Sequence, residues 1–137
     1  MLLDSNIIIY ISKPEFAEMM DDLKAARPSA SLISRIEAYG FHRITPQDMA
    51  DLDDVFSWIE VLPVDDAIAA RAIALRQQKN RCLGDSLIAA TALIYRLPLC
   101  TRNKDDFKHI EGWRSSIRSR REISTIPPNY WNRKRHA

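Results

Sequence analysis

The sequence predicts an α/β fold in which helices sandwich a short, mainly parallel sheet. Three observations carry this expectation. Short apolar runs of strand type alternate with segments of helical periodicity, the signature of successive βαβ units. Proline and Asn/Asp turn chemistry separates these segments every few residues. Acidic residues stand just after the strand-like runs or at helix starts, on the edge where open α/β sheets place their sites. With 137 residues, 46% hydrophobic and 28% charged, the chain suits a single domain, 1–137, with a core of its own.

Taken in order, Met1-Leu2-Leu3 is a short buried strand ending in Asp4. The apolar, β-branched run Ile7 to Ile11 is a fair strand by local propensity. Asp4, Ser5 and Asn6 are all helix-capping types, however, so a helix from about Asn6 is the expected outcome, ended by Pro14. Glu15 to Ala26 carries Phe16, Met19, Met20 and Leu23 at helical spacing and stops before Pro28. Ala30 to Ile33 is expected as the second strand, and Ser34 to Phe41 as the helix bearing Glu37. Thr45-Pro46-Gln47-Asp48 opens another helix with proline in its first turn. Its apolar face is Met49, Leu52, Val55, Phe56 and Ile59. Val61 to Val64 is the third strand. Asp65 caps the next helix, with Ile68, Ala69, Ala72, Ile73 and Leu75 inward.

The stretch Arg81 to Phe107 organises the rest. A helix opens at Asp85, and Ala89, Ala90 and Ala92 permit close packing. Leu97-Pro98 ends it, since proline disfavours α geometry in the residue before it. Leu99 to Thr101 is a buried strand, and Asn103 to Asp106 is a turn. Glu122 to Ile126 reads as a last strand, ended by Pro127-Pro128.

Several function classes are excluded. No run approaches the ~20 apolar residues of a membrane span. The apolar start is interrupted by Asp4 and Asn6 and has no basic residue before it, unlike a signal peptide. A cytoplasmic protein is expected, with Cys82 and Cys100 as small buried hydrophobes, since they form no CxxC and no zinc spacing. His42, His109 and His136 are scattered, which disfavours zinc, and three glycines make no phosphate loop. Residues 1–110 hold 13 Lys+Arg against 16 Asp+Glu, whereas 111–137 hold seven basic residues against two acids. An acidic body with a basic tail fits a metal site and a polyanionic partner, although a solvated tail has the same composition.

Each acid has an ordinary structural role available. Asp4 is placed to cap a helix. Glu37 stands three residues after Ser34, as in a capping box. Asp85 suits a helix start, and Asp106 a turn. Their joint placement on one sheet edge points further. Clustered carboxylates repel unless a cation intervenes, and Mg²⁺ or Mn²⁺ prefers carboxylate and water oxygens.

MLLDSN, SLISRIEAYGF, GDSLIAATAL and LPLCTRNKDDF, in this order and spacing, resemble the PIN-domain ribonucleases, and most of all the VapC-type toxins of bacterial toxin–antitoxin pairs. The resemblance covers about residues 1–112. It implies a PIN-like three-layer sandwich and an Mg²⁺- or Mn²⁺-dependent endoribonuclease acting on single-stranded or looped RNA. Asp4, Glu37, Asp85 and Asp106 then form the acidic quartet that binds the metal and serves catalysis. Asp106 is preferred to Asp105 because it directly precedes Phe107. Asn6, Thr101 and Asn103 match positions that shape the pocket. Arg43, Arg81, Arg102 and Lys104 are candidates for steering the RNA backbone. The family also implies a homodimer and a cognate VapB-like antitoxin that lays a helix in a groove. Phe16, Met19, Met20, Met49, Phe56, Trp58 and Ile59 are the apolar residues that would form that groove or the core. Segment 113–137 is longer and more basic than the family's usual ending. The competing readings are a non-catalytic PIN-like module that binds RNA or protein and a phosphoryl-receiving signalling domain. The latter is disfavoured by the lack of adjacent acids after the first strand.

Overall fold

The computed structural model of the protein describes residues 1–101. Four strands, β1 (Leu2–Leu3), β2 (Ser29–Ser31), β3 (Glu60–Leu62) and β4 (Leu99–Cys100), form one sheet in the order β3-β2-β1-β4. Every pairing is parallel. The helices are α1 (Ser5–Ile11), α2 (Ala17–Ala25), α3 (Leu32–Tyr39), α4 (Pro46–Phe56), α5 (Asp66–Gln78) and α6 (Leu83–Tyr95). A 3₁₀ turn over Pro14–Phe16 leads into α2.

Strands this short still define two faces, because successive side chains point to opposite sides. Leu2 pairs with Leu99, and both are buried with Leu62 against the α5 and α6 residues Ile68, Leu75 and Ile88. Leu3 pairs with Ala30 and Cys100, and these three are buried against Ile7, Ile8 and Ile11 of α1 and Leu52 and Val55 of α4. One sheet therefore carries two hydrophobic cores, giving the three-layer α/β sandwich. Full burial of each of these large side chains contributes about 1.5–3 kcal/mol. The central pair β1 and β4 holds three of its four residues at 0% exposure, which anchors whatever follows them.

Local chemistry starts the helices as the residue types dictate. Thr45 and Asp48 form a reciprocal capping box: Asp48 N–H donates to Thr45 Oγ1 at 3.0 Å, and Thr45 N–H donates to Asp48 Oδ2 at 3.2 Å. Asp65 Oδ1 accepts from Ile68 N–H at 2.9 Å. Ser31 Oγ accepts from Ile33 N–H at 3.1 Å. That last cap corrects an expected boundary: Leu32 and Ile33 begin α3 and do not extend β2. β3 likewise spans Glu60–Leu62 and ends before Pro63, which has no N–H for the sheet. The Ile7–Ile11 run is helical, as expected, although Asp4 at the N-cap position makes no side-chain capping bond.

Three expected inward residues turn outward. Ile73 and Met49 are 59% and 46% exposed. Cys82 is exposed at the start of α6, whereas Cys100 is buried in the sheet. The strand expected at Glu122–Ile126, the acids Asp105 and Asp106, and segment 113–137 lie outside the described residues.

Candidate functional site

Asp4 is the first residue after β1, and Thr101 is the first after β4. Because the two strands run parallel and in register, both side chains leave the same end of the sheet. Thr101 Oγ1 donates to Asp4 Oδ2 at 2.7 Å. Asp4 occupies the N-cap position of α1, but its side chain makes no capping bond, so a helix cap is not its role. It is 5% exposed, an unusual setting for a carboxylate.

Glu37 comes from α3. The expected capping box with Ser34 is not formed: Ser31 caps α3, and Ser34 lies inside the helix at 0% exposure. Glu37 is instead tied to the start of α1, where Ser5 Oγ donates to its Oε1 at 2.8 Å. Its other boundary is Gly84, in the first turn of α6. A Cβ at Gly84 would stand 3.1 Å from Oε2 and 3.2 Å from Oε1 of Glu37, so a larger residue there would push the Glu37 carboxylate by a few tenths of an ångström. Asp85 follows directly. Its N–H donates to Cys82 Sγ at 3.4 Å, a long and weak cap at the start of α6.

Three of the four expected acids therefore stand on neighbouring elements at this end of the sheet, Asp4 beside Ser5, which binds Glu37, and Asp85 beside Gly84, which Glu37 approaches. Burial pushes the Asp4 carboxyl up to about 6, the Thr101 hydrogen bond opposes this, and the charges of Asp85 and Glu37 raise it further. Burial raises the Cys82 thiol as well, the Asp85 N–H bond to Sγ opposes this, and the Asp85 and Glu37 carboxylates add to the rise. Among the described residues, no group of three or more His, Cys, Asp or Glu side chains is placed to hold a metal ion. The acids brought to this edge offer only carboxylate oxygens.

Asp106, Asn103, Arg102 and Lys104 lie outside the described residues. Arg43 is exposed. Arg81 is half-buried, and its Nε and Nη1 have no hydrogen-bond partner among the described residues. Sequence reasoning passed over Ser5 and the close approach at Gly84. Ser5 had no local signal, since Glu37 is 32 residues away. Gly84 had one: a glycine in the first turn of an otherwise strong helix marks a place where something comes close.

The PIN domain model matches residues 1–112. The chain belongs to the PIN domain family. A chain of a toxin–antitoxin complex from Klebsiella pneumoniae is 34% identical to this PIN domain, with 82% of this chain and 93% of that chain covered and a TM-score of 0.62. DNA-bound VapBC from Salmonella typhimurium matches at 26% identity, 84% and 95% coverage and a TM-score of 0.70. VapBC2 from Rickettsia felis, bound to a promoter DNA fragment, shares the fold at 22% identity, 84% and 96% coverage and a TM-score of 0.72. No curated protein matches the chain. Among the described residues, no helix is long and apolar enough to cross a membrane.

Proposed function

We propose that this PIN domain is an Mg²⁺- or Mn²⁺-dependent endoribonuclease, the toxin of a type II toxin–antitoxin pair, working in the cytoplasm as a homodimer. The observation that carries the reading is the placement of Asp4, Glu37 and Asp85 at one end of the sheet, joined through Ser5 and Gly84, with Asp4 raised by burial first and by the charges of Asp85 and Glu37 in addition. The similarity to a chain of a toxin–antitoxin complex supports the toxin role and a VapB-like antitoxin as partner.

In this account Asp4 and Asp85 would hold the ion, while Glu37 and Asp106 would complete the charge. When bound, the divalent ion offsets the carboxylates and the phosphate and lowers the pKa of water. Thr101 fixes Asp4 through Oδ2, and Ser5 fixes Glu37 through Oε1. Glu37 is exposed and would orient the water that attacks phosphorus, whose proton passes to solvent. The water oxygen forms a bond to phosphorus as the bond to the leaving ribose oxygen breaks, and that oxygen gains a proton from solvent. No side-chain nucleophile is required.

Incubating the purified protein with a mixed RNA pool and Mg²⁺ tests this. Internal cuts should appear, vanish with EDTA, and fall to background in Asp4→Asn and Asp85→Asn. RNA binding without cleavage under every metal condition would favour the non-catalytic module instead.

A further inference from the structure

A cavity of about 340 Å³ lies between α1, α3 and α4. Ser5 and Glu37, hydrogen-bonded to each other in the acid group, also line this cavity, so it is continuous with the candidate site. Asn6 lies beside them on the wall. Ile9, Ile44 and Leu52 make part of the lining apolar. The rings of Phe41 and His42 stand at another part, 5.2 Å apart and tilted by 59°. Lys13 Nζ and Asp48 Oδ1 meet at 2.7 Å and place an ammonium and a carboxylate side by side in the lining.

Each feature narrows the occupant. The volume is at the small end of the ~300–1,000 Å³ of small-molecule sites, too little for a helix ~10–12 Å across and enough for one flat ring system. Apolar walls with aromatic rings favour a π-face. Lys13 and Asp48 are bound to each other, and Asp48 Oδ2 also accepts from Thr45 N–H, so they make a fixed polar wall. Ser5 and Glu37 belong both to the lining and to the acid group, so a group in the cavity lies beside the candidate site.

We propose that this cavity receives one unpaired base of the RNA, next to the phosphodiester being cut, and thereby sets the cleavage preference. The proposal rests on the ribonuclease reading above and specifies its substrate contact. Specific recognition of RNA commonly works this way, with an unstacked base splayed into a protein pocket.

Two measurements test it. In the first, a randomised RNA pool is cleaved and the ends are sequenced. The wild type should show a base bias at one position beside the cut. His42→Ala, at an exposed position, and Ile44→Trp, which fills the cavity, should each reduce that bias at least about fivefold, the low end of a base–aromatic stack. An unchanged bias in both folded variants overturns the pocket while leaving the ribonuclease reading intact. In the second, the metal-free protein is titrated with the four nucleoside monophosphates and followed by NMR. Shifts confined to residues around Asn6, Phe41 and His42, lost in Ile44→Trp, support the pocket even if no RNA is cut. The absence of such shifts with every nucleotide overturns it, as do shifts at these residues only when a co-expressed antitoxin is added, because the cavity is then a protein-docking surface.

Discussion

Gly84 illustrates how one residue can set the geometry of another. Its missing Cβ leaves room for both Glu37 oxygens, which a methyl group would meet at 3.1–3.2 Å. Gly84→Ala should therefore shift Glu37 off its Ser5 bond by a few tenths of an ångström while improving helix propensity by up to ~1 kcal/mol. Cleavage should drop on the order of tenfold, with melting unchanged or raised. A variant that cuts RNA at the wild-type rate would show that Glu37 needs no fixed position. Asp4 gives a second test at this scale. In metal-free protein its folded pKa of about 6 lies above the ordinary 3.8. Its proton uptake therefore stabilises the fold fully below 3.8, and this contribution is lost as pH rises through 6. Two units correspond to about 3 kcal/mol. Urea midpoints should thus show Asp4→Asn gaining on the wild type between pH 4 and pH 7.5, with the Asn carbonyl still accepting from Thr101. A gap that stays constant with pH would mean that Asp4 is not held in a charge-repelling pocket. The acids themselves were legible from sequence as residue types at strand and helix ends. Their partners were not, because Ser5–Glu37 and Thr101–Asp4 join residues 32 and 97 positions apart.

At the scale of elements, caps were readable and short strands were not. The helix expected over Ile7–Ile11 formed against its β propensity, though without a side-chain cap from Asp4, and the Thr45 and Asp65 starts came out as expected. A strand of two or three residues has no periodicity, so β2 was expected to run into what is the first turn of α3. Ile73 and Met49 were misplaced because a helical stripe read one position too wide still looks amphipathic. The end of α6 carries a strain that sequence did not reveal. Arg96 adopts φ 55° and ψ 43°, and Leu97 N–H reaches Ala92 O at 2.9 Å in a Schellman-like close. Glycine suits that conformation and arginine does not, so Arg96→Gly should raise stability by about 0.5–1 kcal/mol in denaturant unfolding. A loss of stability would mean that the Arg96 side chain contributes more than the strain costs. The antitoxin surface also needs a sharper probe than the stripe suggested. Met20 and Trp58 pack against the core of the α1 and α4 face, so charging them would disturb folding. Met49 is exposed, and Met49→Glu should weaken antitoxin binding while changing stability by less than ~0.5 kcal/mol. Unaltered affinity would place the antitoxin on another face.

At the scale of the molecule, the sheet does one thing for function: it fixes an edge. β1 and β4 are buried on both faces, and the residues that follow them, Asp4 and Thr101, inherit that rigidity. α3 and α6 then bring Glu37 and Asp85 to the same place from different parts of the chain. The fold class was legible because alternating strands and helices leave few other arrangements. The cavity between α1, α3 and α4 was not, since it depends on how three helices meet and on a Lys13–Asp48 pair 35 residues apart. The central claim is that these converging carboxylates form a cation site. Titrating Mn²⁺ into purified protein at pH 7.5, with electron paramagnetic resonance reporting the free ion, tests it directly. The wild type should bind Mn²⁺ with defined stoichiometry, and Asp4→Asn and Asp85→Asn should each bind at least about tenfold more weakly, in keeping with the loss of a charged ligand. Equal Mn²⁺ affinity in the wild type and both variants would contradict the account.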